Sequence, residues 1–173
     1  MIRSSRKAWL TAGVAALGLA LSSCSSHPGT AAIVDGKHIS EAQLDELAQQ
    51  IEANGGEVRS RAELLILEIN AAFVKPVIDD SPAVTDGVKT QMVEDCIDQF
   101  GSQQPFFGDA DAASLPEPIK VLCYGQFIER FDPQAAQTLN TAQAEVSTTV
   151  NPRYGELTDD GLVTPEYLET RQE

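Results

Sequence analysis

Histidine and positive charge are scarce in this chain of 173 residues, and each scarcity removes a class of function. His27 and His38 are the two histidines. Neither lies near Cys96 or Cys123, so a metal site at that pair lacks the further ligands it would want. A Ser/His/Asp or Cys/His centre would have to use one of the same two rings. His38 falls in a short extended run, where an ordinary strand residue is the simpler reading. Phosphate-cradling, zincin and nucleophile-elbow patterns are missing, as is C-x-x-C. Adjacent acids at Glu94-Asp95 and Asp159-Asp160 have the form of solvated faces, and nothing supports them as a glycosidic pair. The residues therefore point to no enzyme, no cofactor, no metal and no nucleotide.

Twelve Lys and Arg stand against 26 Asp and Glu. Nucleic-acid affinity comes mainly from cations that neutralise phosphates, so this balance excludes nucleic acid as a partner. It also argues against the acidic body adhering to anionic lipid by itself, since that attraction needs polybasic segments. Long apolar runs are missing too. The uncharged stretch Ala8 to Leu21 is too short to span a membrane, which takes about 20 residues.

That stretch belongs instead to an expected export signal over residues 1–23. Arg3, Arg6 and Lys7 precede it, and Leu21-Ser22-Ser23-Cys24 follows with the form of a bacterial lipoprotein box. Cys24 is then the site of lipidation by a diacylglyceryl group. Two buried acyl chains give durable anchoring where one is marginal. Ordinary secretion, with Cys24 left free, is the alternative. Residues 24–30 read as a polar tether, in which the six residues from Ser25 to Thr30 reach roughly 20 Å when extended, so the domain is expected close to the extracytoplasmic face of the cell membrane. Trp9, the single Trp, lies in the signal.

The body, residues 31–157, reads as mainly α with a short two-stranded β element joining its ends. Ala31 to Val34, the turn Asp35-Gly36 and Lys37 to Ile39 form an extended pair. Ser40 with Gln43, and Ser60 with Glu63, have the spacing of capping boxes. The second opens a helix apolar on nearly every side, as suits a buried element, with Pro76 expected to break or bend it. Further helices are expected from about Asp86 to Phe100, from about Glu117 to Phe131, and after Asp132-Pro133. Inward stripes are Val88, Met92, Val93, Cys96, Ile97 and Phe100 on the first, and Ile119, Leu122, Cys123, Gln126 and Phe127 on the second. Ser147 to Val150 suits a short strand. Residues 158–173 are rich in acids and read as a disordered tail.

With Cys24 given to lipid, Cys96 and Cys123 are an even pair in an exported protein and read as a disulfide, two buried thiols being the alternative. Phe106 and Phe107 lie in a loop of Gln, Pro, Gly and Asp. They are either an exposed element that binds unfolded clients or a satellite of the core beneath the disulfide loop.

The run Ala31-Ala32-Ile33-Val34-Asp35-Gly36-Lys37-His38-Ile39-Ser40, followed by Glu41-Ala42-Gln43-Leu44, resembles the opening of the SurA-type N-terminal chaperone domain. Asn151-Pro152-Arg153-Tyr154-Gly155 resembles the closing segment of SurA-like lipoproteins, chiefly of actinobacteria. The resemblance implies an extracytoplasmic, ATP-independent chaperone-like module binding exported or unfolded polypeptides in an apolar groove. A parvulin isomerase domain would need about 90 further residues, so isomerase activity is not carried over. An adaptor or structural lipoprotein holding one folded partner is the alternative function.

Overall fold

Among the described residues, four of the five α-helices begin where a side-chain oxygen meets an unpaired backbone N–H. In the computed structural model, which describes residues 29–158 and 161–163, Ser40 caps α1 (Glu41–Ala53). Its Oγ accepts the Gln43 N–H at 3.2 Å, and Gln43 Oε1 accepts the Ser40 N–H at 2.9 Å. Ser60 caps α2 (Arg61–Asp80) by accepting the Glu63 N–H. The reciprocal half of that expected box is displaced by one residue, because the Glu63 carboxylate receives the Arg59 N–H at 2.8 Å. Thr85 caps α3 (Asp86–Phe100), and α4 (Glu117–Phe131) follows Pro116 without a side-chain cap.

Asp132 caps α5 (Pro133–Glu145) through the N–H groups of Gln134 and Ala135. It also accepts the Ser81 hydroxyl at 2.6 Å, tying the end of α2 to the start of α5. The Ser81 hydroxyl first, and the Ala135 N–H next, hold the Asp132 carboxyl below its usual range.

β1 (Thr30–Val34) is the centre of a three-stranded antiparallel sheet, with β2 (Lys37–Ser40) on one side and β3 (Thr148–Val150) on the other. Ile33 faces His38 across one ladder and Thr149 across the other. The expected two-stranded element is thus one strand short. β1 has two hydrogen-bonding edges, and both the tight turn and the distant C-terminal segment use one. Asp35 and Gly36 both have positive φ, 47° and 74°, as a two-residue hairpin loop requires. β1 also starts at Thr30, inside the expected tether.

β4 (Glu156–Thr158) pairs with β5 (Gly161–Val163) in a hairpin, Leu157 opposite Leu162. Gly161–Val163 falls within the segment expected to be an acidic tail.

α2 is the central helix, packed against α1, α4, α5, β1 and β2. Leu64, Leu65, Leu67, Ile69, Val74 and Ile78 are all buried along it, each such side chain contributing about 1.5–3 kcal/mol. Pro76 does not break it: the helix runs on to Asp80, with Pro76 exposed. On α4 the buried face is wider than the expected stripe and includes Val121, Tyr124 and Ile128, while Gln126 is exposed. The reason is that α4 packs on α2, α3 and α5 together.

Candidate functional site

Two clefts open on opposite faces of α2. Residues 63, 66, 67 and 70 line one and residues 68, 71, 72, 75 and 79 line the other, roughly half a turn apart at 100° per residue.

The first is an apolar cleft of about 560 Å3, walled by Ile66, Leu67, Phe100, Leu122 and the two phenylalanines, with Ser60, Asn70, Gln104 and Gln126 as polar lining. Ile66, Phe100 and Leu122 are only partly buried, so apolar surface remains open to a ligand. Cys96 also lines it. The Cα atoms of Cys96 on α3 and Cys123 on α4 are 5.6 Å apart, with the sulfurs at bonding distance.

Phe106 and Phe107 are 6% and 2% exposed, with ring centroids 5.0 Å apart. The reading of them as an exposed client-binding element is corrected: they border the apolar cleft from within the main core. The cause is a close backbone crossing. The 3-10 turn Pro105–Phe107 ends at Gly108, whose φ is 56°. A Cβ at Gly108 would lie 2.4 Å from the Gly56 nitrogen and 2.5 Å from the Asn54 oxygen. The Asp109 N–H donates to the Asn54 carbonyl at 3.0 Å, and the Glu57 N–H to the Pro105 carbonyl at 3.0 Å. These bonds press the loop onto the α1–α2 turn and drive both rings inward.

The second cleft, about 710 Å3, is charged at its rim and apolar at its floor. Lys75 bonds Asp79 at 3.1 Å and Glu117 at 3.4 Å, and Lys89 bonds Asp79 from the other side. This neutralises one end. Glu68 has no hydrogen bond or ion pair among the described residues. Burial first, and the neighbouring Glu46 second, push its carboxyl above the usual range. His38 borders this cleft from β2, with Thr30 Oγ1 3.4 Å from Nδ1.

A third constellation holds the ends of the chain together. Glu41 at the start of α1 receives the Tyr154 hydroxyl at 2.6 Å, Arg61 at 2.8 Å, and Arg153. Arg61 also donates to the Tyr154 oxygen and pairs with Asp45. The Asn151 amide donates to the Thr30 carbonyl at 3.0 Å, and the Asn151 N–H to the Ala31 carbonyl at 2.9 Å. Asn151-Pro152-Arg153-Tyr154 is therefore a clasp between the C-terminal segment, β1 and both first helices. The motif is legible in the sequence but its partners are not, because Arg153 and Tyr154 meet Glu41 and Arg61 from more than 90 residues away.

Of the paired acids, Glu94 is exposed and Asp95 bonds Arg130 at 2.7 Å, joining α3 to α4. Among the described residues, no group of three or more His, Cys, Asp or Glu could hold a metal, and no helix is long and apolar enough to cross a membrane. The expected signal, Trp9, the expected lipidation site Cys24 and His27 lie outside the described residues, as do Asp159-Asp160 and the chain from Thr164. The charged cleft went unread in the sequence, although the stripe Glu68, Ala72, Lys75 and Asp79 has helical spacing. Comparison with known family models, with curated proteins and with solved structures finds no match to this chain.

Proposed function

We propose that the chain is a SurA-like, lipid-anchored chaperone module on the extracytoplasmic face of the cell membrane, binding unfolded or exported polypeptides without ATP. The apolar cleft between α2, α3 and α4 carries this reading. It offers partly exposed Ile66, Phe100 and Leu122 beside a rigid aromatic wall, with polar groups at its edge. Burying client side chains there supplies affinity with no cofactor. Support for location comes from the lipoprotein box at Leu21 to Cys24. The acidic body is repelled from anionic lipid while two acyl chains hold it nearby.

The test is suppression of aggregation of several unrelated unfolded proteins by the full chain in detergent, with and without ATP and chelator. Protection of all of them, lost in Ile66→Ser at unchanged melting temperature, is the expected result. Protection of none sinks the chaperone reading, and capture of one folded partner alone establishes the adaptor.

A further inference from the structure

The walls of the apolar cleft are not held alike. α2 is gripped by helices and strands on several sides, whereas α3 packs mainly on α4. The buried residues of α3 are Met92, Val93 and Cys96. Its other ties are surface ion pairs, Lys89 with Asp79 of α2 and Asp95 with Arg130 of α4, which contribute little. Phe100 meets Phe127 of α4 edge-on, with ring centroids 6.4 Å apart. Cys96 and Cys123 lie inside this α3–α4 contact, their sulfurs at bonding distance, and supply its covalent tie.

α3 gives the cleft Cys96 and Phe100. Phe106 and Phe107 do not depend on it, because their turn is held to the α1–α2 connection by the backbone bonds of Glu57 and Asp109. Loss of the covalent tie would therefore release one wall and leave the other. Both cysteines are buried, yet Cys96 lines the cleft and Cys123 does not. The route by which an outside thiol or disulfide reaches the pair is thus the cleft itself, onto the Cys96 sulfur.

We propose that the redox state of Cys96 and Cys123 switches the apolar cleft. Oxidised, the bond fixes Phe100 as a wall; reduced, α3 is freed and the wall is lost. The oxidant is a disulfide: its S–S bond breaks, the bond between the two Cys Sγ atoms forms, and two electrons and two protons leave on the oxidant as two thiols. Reduction by a dithiol reverses these steps. The inference rests on the chaperone reading for the ligand and adds its regulation: the client site is complete only where the surroundings oxidise thiols. Since ligand and attacking thiol use one cleft, occupancy also favours and shields the oxidised form.

The experiment compares the full chain in detergent, oxidised and after dithiothreitol, by hydrogen exchange with mass spectrometry and by anisotropy of a labelled neutral apolar peptide. Reduction should speed exchange in α3 by about tenfold or more while α2 and the Pro105–Phe107 turn stay protected. The peptide should bind about tenfold more weakly to the reduced chain. Saturating peptide should slow the loss of the bond to dithiothreitol. The double variant Cys96→Ser, Cys123→Ser should exchange and bind like the reduced chain, with or without dithiothreitol. Unchanged exchange in α3 overturns the proposal, as does a rise spread evenly over all helices, which would make the bond a support of the whole fold. Equal peptide binding in both states overturns the switch and leaves the chaperone reading standing. No peptide binding in either state sinks the chaperone reading, and the exchange of α3 still decides whether the bond holds the wall.

Discussion

The two clefts share α2 as a wall and differ in how their linings are held. The apolar cleft is built from residues fixed by long-range constraints: the Gly108 crossing, the Cys96–Cys123 pair, and the core-buried Phe106 and Phe107. The charged cleft is rimmed by exposed side chains of α1, α2, β2 and α4 over a buried apolar floor, with exposed ion pairs at one end. Exposed pairs contribute about 0–1 kcal/mol each. The difference teaches that changes to the buried rings and the crossing behind the apolar cleft should act through stability, while changes to its partly exposed lining and to the charged cleft should leave the fold intact.

The sharpest way to break this contrast is to replace Phe106 and Phe107 together with Ser. Each truncation should cost about 3–5 kcal/mol, and together they approach the whole stability of a domain this size. Circular dichroism should show loss of cooperative melting. A double variant that melts normally would show that the rings are not core.

Next in size is the cysteine pair. Oxidised Cys96 and Cys123 would close a loop worth about 3.5 kcal/mol in the chain-entropy model. Non-reducing peptide mapping should find one linked peptide, and reduction should lower the melting temperature. Two alkylatable thiols in the oxidised native protein would refute the bond.

Gly108→Ala should follow, because its Cβ meets backbone atoms that have no rotamer to yield, and φ at 56° strains any L residue. A loss of about 2–3 kcal/mol is expected from denaturant titration. A neutral effect would mean that the crossing is wider than the geometry shows.

The smallest expected effect belongs to the charged cleft. Since burial raises the folded-state pKa of Glu68 above its unfolded value, its ionisation destabilises the fold as pH rises through the raised value. Glu68→Gln should therefore melt roughly 1–3 °C higher than the parent near neutral pH. The gap should close below the unfolded pKa of about 4.3, where both side chains are neutral. A lower melting temperature at pH 7 would mean that Glu68 has a stabilising partner.

What the sequence by itself determined is local. The limits of α3 and α4, the caps at Ser40 and Asp132, and the turn at Asp35-Gly36 follow from side chains within four residues of the groups they satisfy, so reading along the chain suffices. The all-round apolar character of α2 likewise announced its central place. Tertiary structure alone decided the rest. A third strand joined β1 because strand pairing depends on which segment returns to a free edge, and Thr148 to Val150 returns from the far end of the chain. Phe106 and Phe107 turned inward because Gly108 crosses the α1–α2 turn, a contact between segments some 50 residues apart. Pro76 left α2 whole because its ring lies on the exposed side of a helix gripped on its other faces. Glu41 met Arg61, Arg153 and Tyr154 only once the sheet had brought both ends of the body together. Capping and periodicity are written in neighbouring residues, whereas clefts are made where distant segments pack, and no local pattern specifies which faces will meet.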